Sequence, residues 1–261
     1  MTSIAEIPAA AQAEIQSRID RIADEEGVRI LFAIESGSRA WGFPSRDSDY
    51  DVRFVYAHPR DWYLSLRPGR DVIERPIVDD FDVSGWDIRK ALNLMLKSNP
   101  VLLEWLTSPI RYRWAPDPSD ALADLAGRAT RHTPSLHHYW KLGRRQWDAD
   151  APKMKIKRYL YTLRAALALR WLEQNAGAPP PMNVFDLLAG VSVGEDAEKR
   201  LRALIARKAD GMERGLVDKD PALDALVHDA FAWAEANQNT VRDTEPLRDE
   251  ATALFRRVIA E

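Results

Sequence analysis

Apolar residues recur at helical spacing over residues 8 to 26, where Ile15, Ile19 and Ile22 share one face, Pro8 suits a first-turn position and Gly27 can end the helix. The period then changes. Val28 to Glu35, VRILFAIE, is a short apolar run of the kind that forms a buried strand. The segment SGSRAWGFPSRDSD is rich in turn formers, and Tyr50 to Ala57 reads as a second strand. A short helix is expected in PRDWYLSL, with Pro59 near its start. Arg70 to Ile77 and Val78 to Val83 read as two more strands, turning about Asp79 and Asp80. Asp87 to Lys97 is amphipathic with Ile88, Leu92 and Met95 on one face, and Ser84 with Asp87 makes an S-x-x-D start signal for it. Asn99-Pro100 breaks that helix, and Val101 to Leu106 begins another. From about Asp117 onward only helical patterns appear, with joints at Thr133-Pro134, Ala151-Pro152 and the AGAPPPMN stretch from Ala176 to Asn183. The expectation is an α+β chain: an α/β domain with a mixed sheet over residues 1–114, then a helical domain over 115–261.

Composition narrows the chemistry. The 261 residues include no cysteine, which removes disulfides, thiolate zinc sites and cysteine nucleophiles. A formal net charge of −3 rules out a chain that binds nucleic acid by overall charge alone. No apolar run approaches the roughly 20 residues of a membrane helix. The opening MTSIAEIPAAAQAEI lacks the basic and apolar regions of a leader, so the expectation is a cytoplasmic protein without a membrane partner.

The segment with chemical content is Gly37-Ser38-Arg39-Ala40-Trp41-Gly42, six further residues, then Asp49-Tyr50-Asp51. Residues i and i+2 of a strand share a face, so Asp49 and Asp51 are expected side by side, about 7 Å apart. Carboxylates that close repel unless a cation lies between them, and magnesium is commonly held by one or two carboxylates plus substrate phosphates. Two such ions (magnesium, or manganese in its place) are expected here. Gly37 allows a tight turn, Ser38 offers a hydroxyl and an N–H to an anion, and Arg39 adds a charge-assisted donor. A third carboxylate is expected on a neighbouring strand. Asp82 in VDDFDVSGW is the candidate; its rival, Asp87, stands where a helix cap is needed. Arg39 and Arg53 suit phosphate contact or salt bridges to the aspartates equally well. Residues 141 to 170 hold nine Lys and Arg against two Asp, and Lys157 and Arg164, seven apart, fall on one helical face. They are candidates for triphosphate or polynucleotide binding, with a solvated helix face as the plainer alternative.

In order and spacing, ESGSRAWGFPSRDSDYDVRFVY resembles the signature of the DNA polymerase β-like nucleotidyltransferases: a strand, a Gly-Ser turn, a short helix and a strand with Asp-x-Asp. It is most similar to the predicted nucleotidyltransferases linked to RNA repair, through GSRAxG, SDxDxR, the stretch Asp82 to Lys90, Asn99-Pro100 with Glu104, and the helix from Lys157 to Arg164. That resemblance implies a metal triad of Asp49, Asp51 and Asp82, a phosphate turn at Gly37 and Ser38, and transfer of a nucleoside monophosphate from a triphosphate such as ATP to a hydroxyl. An RNA or tRNA end is the acceptor it suggests. A protein hydroxyl, as in antitoxins of the minimal nucleotidyltransferase type, a small metabolite or drug as acceptor, and a non-catalytic nucleotide- or RNA-binding module are the rival readings. Tyr161 departs from the family pattern, which carries histidine there in many members.

Overall fold

The computed structural model describes residues 6–67, 69–175, 177–211, 215–238 and 247–260. Residues 1–5 of the opening segment and Ala176, which heads the proline-rich joint, lie outside the described residues. The chain divides into two compact units, one taking Ile4–Ala40, Asp49–Thr130 and Asp243–Glu261, the other Trp41–Ser48 and Arg131–Arg242.

The first unit is α+β. Five strands, β1 (Arg29–Glu35), β2 (Tyr50–Ala57), β3 (Val72–Glu74), β4 (Phe81–Asp87) and β5 (Arg111–Trp114), form one sheet in the order β3-β4-β2-β1-β5. The sheet is mixed: β1 runs antiparallel to β2 and β5, β3 antiparallel to β4, and β2 parallel to β4. Helix α1 (Ala9–Glu26) buries Ile15, Ile19 and Ile22 in one cluster with Ala33, Val52, Phe54, Tyr56 and Val83. Each of the three isoleucines stabilises the unit by about 1.5–3 kcal/mol. With Val52, Phe54 and Tyr56 facing α1, alternation turns Asp51 and Arg53 to the opposite face.

Short helices α2 (Gly37–Trp41) and α3 (Arg60–Tyr63) follow β1 and β2. Helix α4 (Ile88–Leu96) packs on β2 and β4, α5 (Pro100–Leu106) on α4, and α6 (Pro116–Ala129) on β1. The expected Ser84 start signal is corrected: Ser84 lies inside β4, and Asp87 itself caps α4 by accepting from Arg89 N at 2.8 Å. Asp79 and Asp80 make the expected turn, with left-handed backbone angles (φ 54 and 64) that Asp tolerates better than most residues. The strands about it are corrected: β3 keeps only Val72–Glu74 of Arg70 to Ile77, and β4 begins after the turn at Phe81 and runs on to Asp87. The strand β5 was not among the expected elements; its four residues RYRW carry no clear alternation.

The second unit is mostly helical: α7 (His132–Gln146), α8 (Ile156–Gln174), α9 (Val184–Gly190), α10 (Glu195–Ala209) and α11 (Pro221–Ala236). Helix α8 is buried nearly all round, which marks it as the core helix. The expectation of helices alone beyond Asp117 is corrected by β6 (Lys153–Lys155) and β7 (Leu216–Asp218), which pair antiparallel. Three-residue strands are too short for period-2 patterning to register. Helix α12 (Arg248–Ile259) returns to the first unit, where it packs on α4 and α6.

Trp41–Ser48 belongs to the helical unit. The Tyr161 ring lies 4.9 Å from Trp41 and 6.1 Å from Phe43, and the fully buried Lys208 donates from Nζ to the Phe43 carbonyl at 2.7 Å. Gly42 sits at φ +91, and a Cβ there would come within 2.9 Å of Asn183 Nδ2.

Candidate active site

The carboxylates gather where β1 ends and β2 and β4 begin. Strand pairing would normally give the Asp51 N–H a carbonyl on β1, but the chain leaves the ladder after Glu35 and turns into α2. The Glu35 side chain takes its place: Oε1 accepts from Asp51 N at 3.0 Å, while the Asp51 carbonyl accepts from Ser36 N at 2.8 Å. The next turn is made by Gly37 at φ +58, so close that an added Cβ would lie 1.9 Å from Asp51 Oδ2. Only glycine lets the backbone pass the carboxylate there.

The parallel register of β2 and β4 sets Asp51 opposite Asp82. Both side chains are partly exposed, and one guanidinium joins them: Arg53 Nη2 lies 3.2 Å from Asp51 Oδ1 and 2.6 Å from Asp82 Oδ2. Arg53 Nη1 donates to the Val52 and Asp82 carbonyls at 3.0 and 2.9 Å. Of its two open readings, Arg53 is therefore the salt-bridge partner of the aspartates. Asp87 is fully buried, capping α4 and accepting from Tyr63 Oη at 2.6 Å, so it is not beside this pair of carboxylates as a rival.

Asp49 is exposed and lies just before β2, not within it. The strand has its expected bounds, so Asp49 stands one residue outside it and does not share a strand face with Asp51. Arg39 holds this approach: its Nε donates to the Asp49 carbonyl at 3.2 Å and its guanidinium lies 4.0 Å from the centre of the Tyr50 ring, which stacks on Phe81 at 4.8 Å. Ser38 is buried in the first turn of α2. Among the described residues, no three His, Cys, Asp or Glu side chains come together as a ready metal-holding group. The assembled part is the Asp51–Asp82 pair. Its donors are all oxygen, and it already faces a cation in Arg53; two carboxylates completed by substrate phosphates are a normal magnesium donor set.

Lys157 and Arg164, both on α8, do not share an exposed face as expected. Lys157 is exposed in the first turn, whereas Arg164 is 1% exposed, with Nε donating to the Met182 carbonyl at 3.0 Å and its guanidinium 4.5 Å from the Trp41 ring centre. Helix α8 is the core of its unit, so most of its faces are inward.

Burial raises the Glu35 carboxyl from 4.5 to about 7, only partly offset by the hydrogen bonds from Tyr112 Oη and Asp51 N. A raised folded-state value means the native protein holds its proton more tightly than the unfolded chain. That contribution is complete below pH 4.5 and is lost as pH rises through about 7. Metal-free protein should lose about 3 kcal/mol of stability across this window from this group. Glu35→Gln should remove that part of the pH dependence, which denaturant melts at pH 5 and pH 8 in EDTA will measure. An unchanged pH profile in the variant would rule out a buried neutral Glu35. Nothing in the sequence pattern flagged this residue, which reads as the end of an apolar strand. The signal available was a lone carboxylate ending such a run directly before a Gly-Ser turn.

A sequence profile of the RNA repair pathway DNA polymerase beta family, RlaP, matches residues 11–257. The chain belongs to this family. As an RlaP protein with a mixed five-stranded sheet it is a polymerase β-like nucleotidyltransferase, a class that typically uses divalent metal ions. The uncharacterised protein YcgL of Bacillus subtilis (strain 168) is 44% identical over 214 residues, 81% of each chain. A crystal structure of a nucleotidyltransferase-like protein from Exiguobacterium sibiricum 255-15 aligns over 94% of this chain and 88% of its own, at 11% identity and a TM-score of 0.30, too low to bear on the fold. Among the described residues of this RlaP chain, no helix is long and apolar enough to cross a membrane.

Proposed function

We propose that this chain transfers a nucleoside monophosphate from a nucleoside triphosphate to a hydroxyl of an RNA or tRNA end, releasing pyrophosphate. The opposition of Asp51 and Asp82 at the head of two parallel strands, with Gly37 against the Asp51 carboxylate, carries this reading. Asp51 and Asp82, with Asp49 alongside, would hold the metal ions, magnesium or manganese, which when bound neutralise phosphate charge and lower the pKa of the acceptor hydroxyl. The acceptor oxygen forms a bond to the α-phosphorus as the bond to the pyrophosphate oxygen breaks, and the hydroxyl proton passes to Asp82 or to water. Gly37 and the Ser38 N–H and hydroxyl would receive triphosphate oxygens. Arg39, whose guanidinium faces the Asp49 carbonyl, would lend its charge while fixing the Asp49–Tyr50 approach. Arg53 neutralises the carboxylate pair before nucleotide arrives.

Residues 1–114 would carry the chemistry and 115–261 the acceptor. Lys157, exposed, suits phosphate oxygens directly; Arg164, buried, supports the Trp41 segment. Triphosphates and RNA ends are cytoplasmic substrates, which is where we put the reaction. The test is incubation with each α-labelled triphosphate, magnesium and cellular RNA or protein. Label should enter RNA, with one pyrophosphate released per nucleotide incorporated. Label in protein would favour the antitoxin-like acceptor, and no label in either pool would sink nucleotidyl transfer.

A further inference from the structure

We propose that Glu35 and Tyr112 form a positioning couple that fixes the Asp51 carboxylate by holding the Asp51 peptide. The inference rests on the nucleotidyl-transfer reading for the role of Asp51, but the couple itself stands on geometry.

Glu35 is fully buried, an expensive place for a carboxylate unless its oxygens are occupied. Both are occupied. Oε1 accepts from the Asp51 N–H at 3.0 Å, and Oε2 accepts from Tyr112 Oη at 2.7 Å. The frame around Glu35 is equally constrained, since its N–H donates to the Ile110 carbonyl at 3.0 Å and its carbonyl accepts from Ser108 Oγ at 2.6 Å. A leucine or valine at this position would suit the strand and would leave the Asp51 N–H without its acceptor.

Tyr112 is aimed by an irregularity in β5. Consecutive β1 residues Ala33 and Ile34 pair with Arg113 and Arg111, so Tyr112 is the extra residue between them. Such a bulge re-aims a side chain, and here the result is the hydroxyl on Glu35. Three strands therefore converge: Tyr112 of β5 orients Glu35 of β1, which holds Asp51 of β2. With Ser36 N on its carbonyl and Glu35 on its N–H, the Asp51 peptide is gripped on both sides. Its side chain is thereby held in register with Asp82. Neither Glu35 nor Tyr112 needs to touch substrate for this.

The test compares full-length wild type, Glu35→Ala, Glu35→Gln and Tyr112→Phe by two readouts: amide hydrogen exchange at Asp51, and Mn2+ affinity by electron paramagnetic resonance. Glu35→Ala should speed exchange at Asp51 about tenfold relative to Val52 and weaken Mn2+ binding about tenfold. Glu35→Gln, which keeps an acceptor for Asp51 and a polar contact for Tyr112, should restore both. Tyr112→Phe should move both in the same direction by less, and it serves alone if Glu35→Ala does not fold. Unchanged Asp51 exchange in a folded Glu35→Ala or in Tyr112→Phe overturns the couple, as does a Glu35→Gln that behaves like Glu35→Ala. A wild type that binds no Mn2+ sinks the metal reading, while the exchange arm still decides the couple.

Discussion

Asp51→Asn should lower metal-dependent nucleotidyl transfer about a thousandfold or more, with the fold intact. The substitution keeps the shape beside Gly37 and the backbone bonds to Glu35 and Ser36, and removes only the charge. Little stability depends on that charge. Arg53 keeps its 2.6 Å contact to Asp82, and the Asp51 carboxylate is 29% exposed, so the lost ion pair is worth about 0–1 kcal/mol. Steady-state turnover alongside a thermal melt will check both halves. A folded variant with wild-type turnover would return Asp51 to the role of a strand-end residue.

Gly37→Ala should be as inactive as Asp51→Asn and also less stable, by about 2–4 kcal/mol. Two effects combine. Alanine resists the left-handed φ of +58, and its Cβ would sit 1.9 Å from Asp51 Oδ2, so the carboxylate must swing away. Swinging it breaks the 3.2 Å contact to Arg53 and the opposition to Asp82. Gly42→Ala is the control. It too is left-handed, but its Cβ meets Asn183, so it should lose stability and keep its chemistry when assayed below its melting point. If Gly37→Ala melts like wild type and turns over normally, the close approach at Asp51 is not needed for function.

The sequence was most informative where long patterns govern. Ile15, Ile19 and Ile22 announce α1, and the Tyr50 to Ala57 strand has the bounds expected of it. The Asp79-Asp80 turn was legible because its residues tolerate left-handed angles. Short elements were not: β5, β6 and β7 hold three or four residues each, fewer than one window of alternation. At the site, spacing and alternation pointed to Gly37, Asp51 and Asp82, and the fold brings Gly37 against Asp51 and Asp51 opposite Asp82. Glu35 and Tyr112 were not readable, since their meaning depends on which strand ends beside which and on a bulge. Lys157 and Arg164 show the limit of helical periodicity: it says that two residues share a face, not whether that face is outside.

The order of synthesis gives the Trp41–Ser48 excursion one more consequence. Phe43 leaves the ribosome 165 residues ahead of the lysine that bonds its carbonyl. The strands on either side of this excursion, β1 and β2, can pair while the helices beyond Arg131 are still unmade. The eight residues between Ala40 and Asp49 cannot meet Tyr161 until α8 has been translated, nor Lys208 until α10 has. At ordinary elongation rates of about 5–20 residues per second, the tip of the signature stays unpacked for on the order of ten seconds after it emerges. The nascent chain therefore carries its Gly-Ser turn and Asp49 long before the contacts of the segment between them with Tyr161 and Lys208 exist.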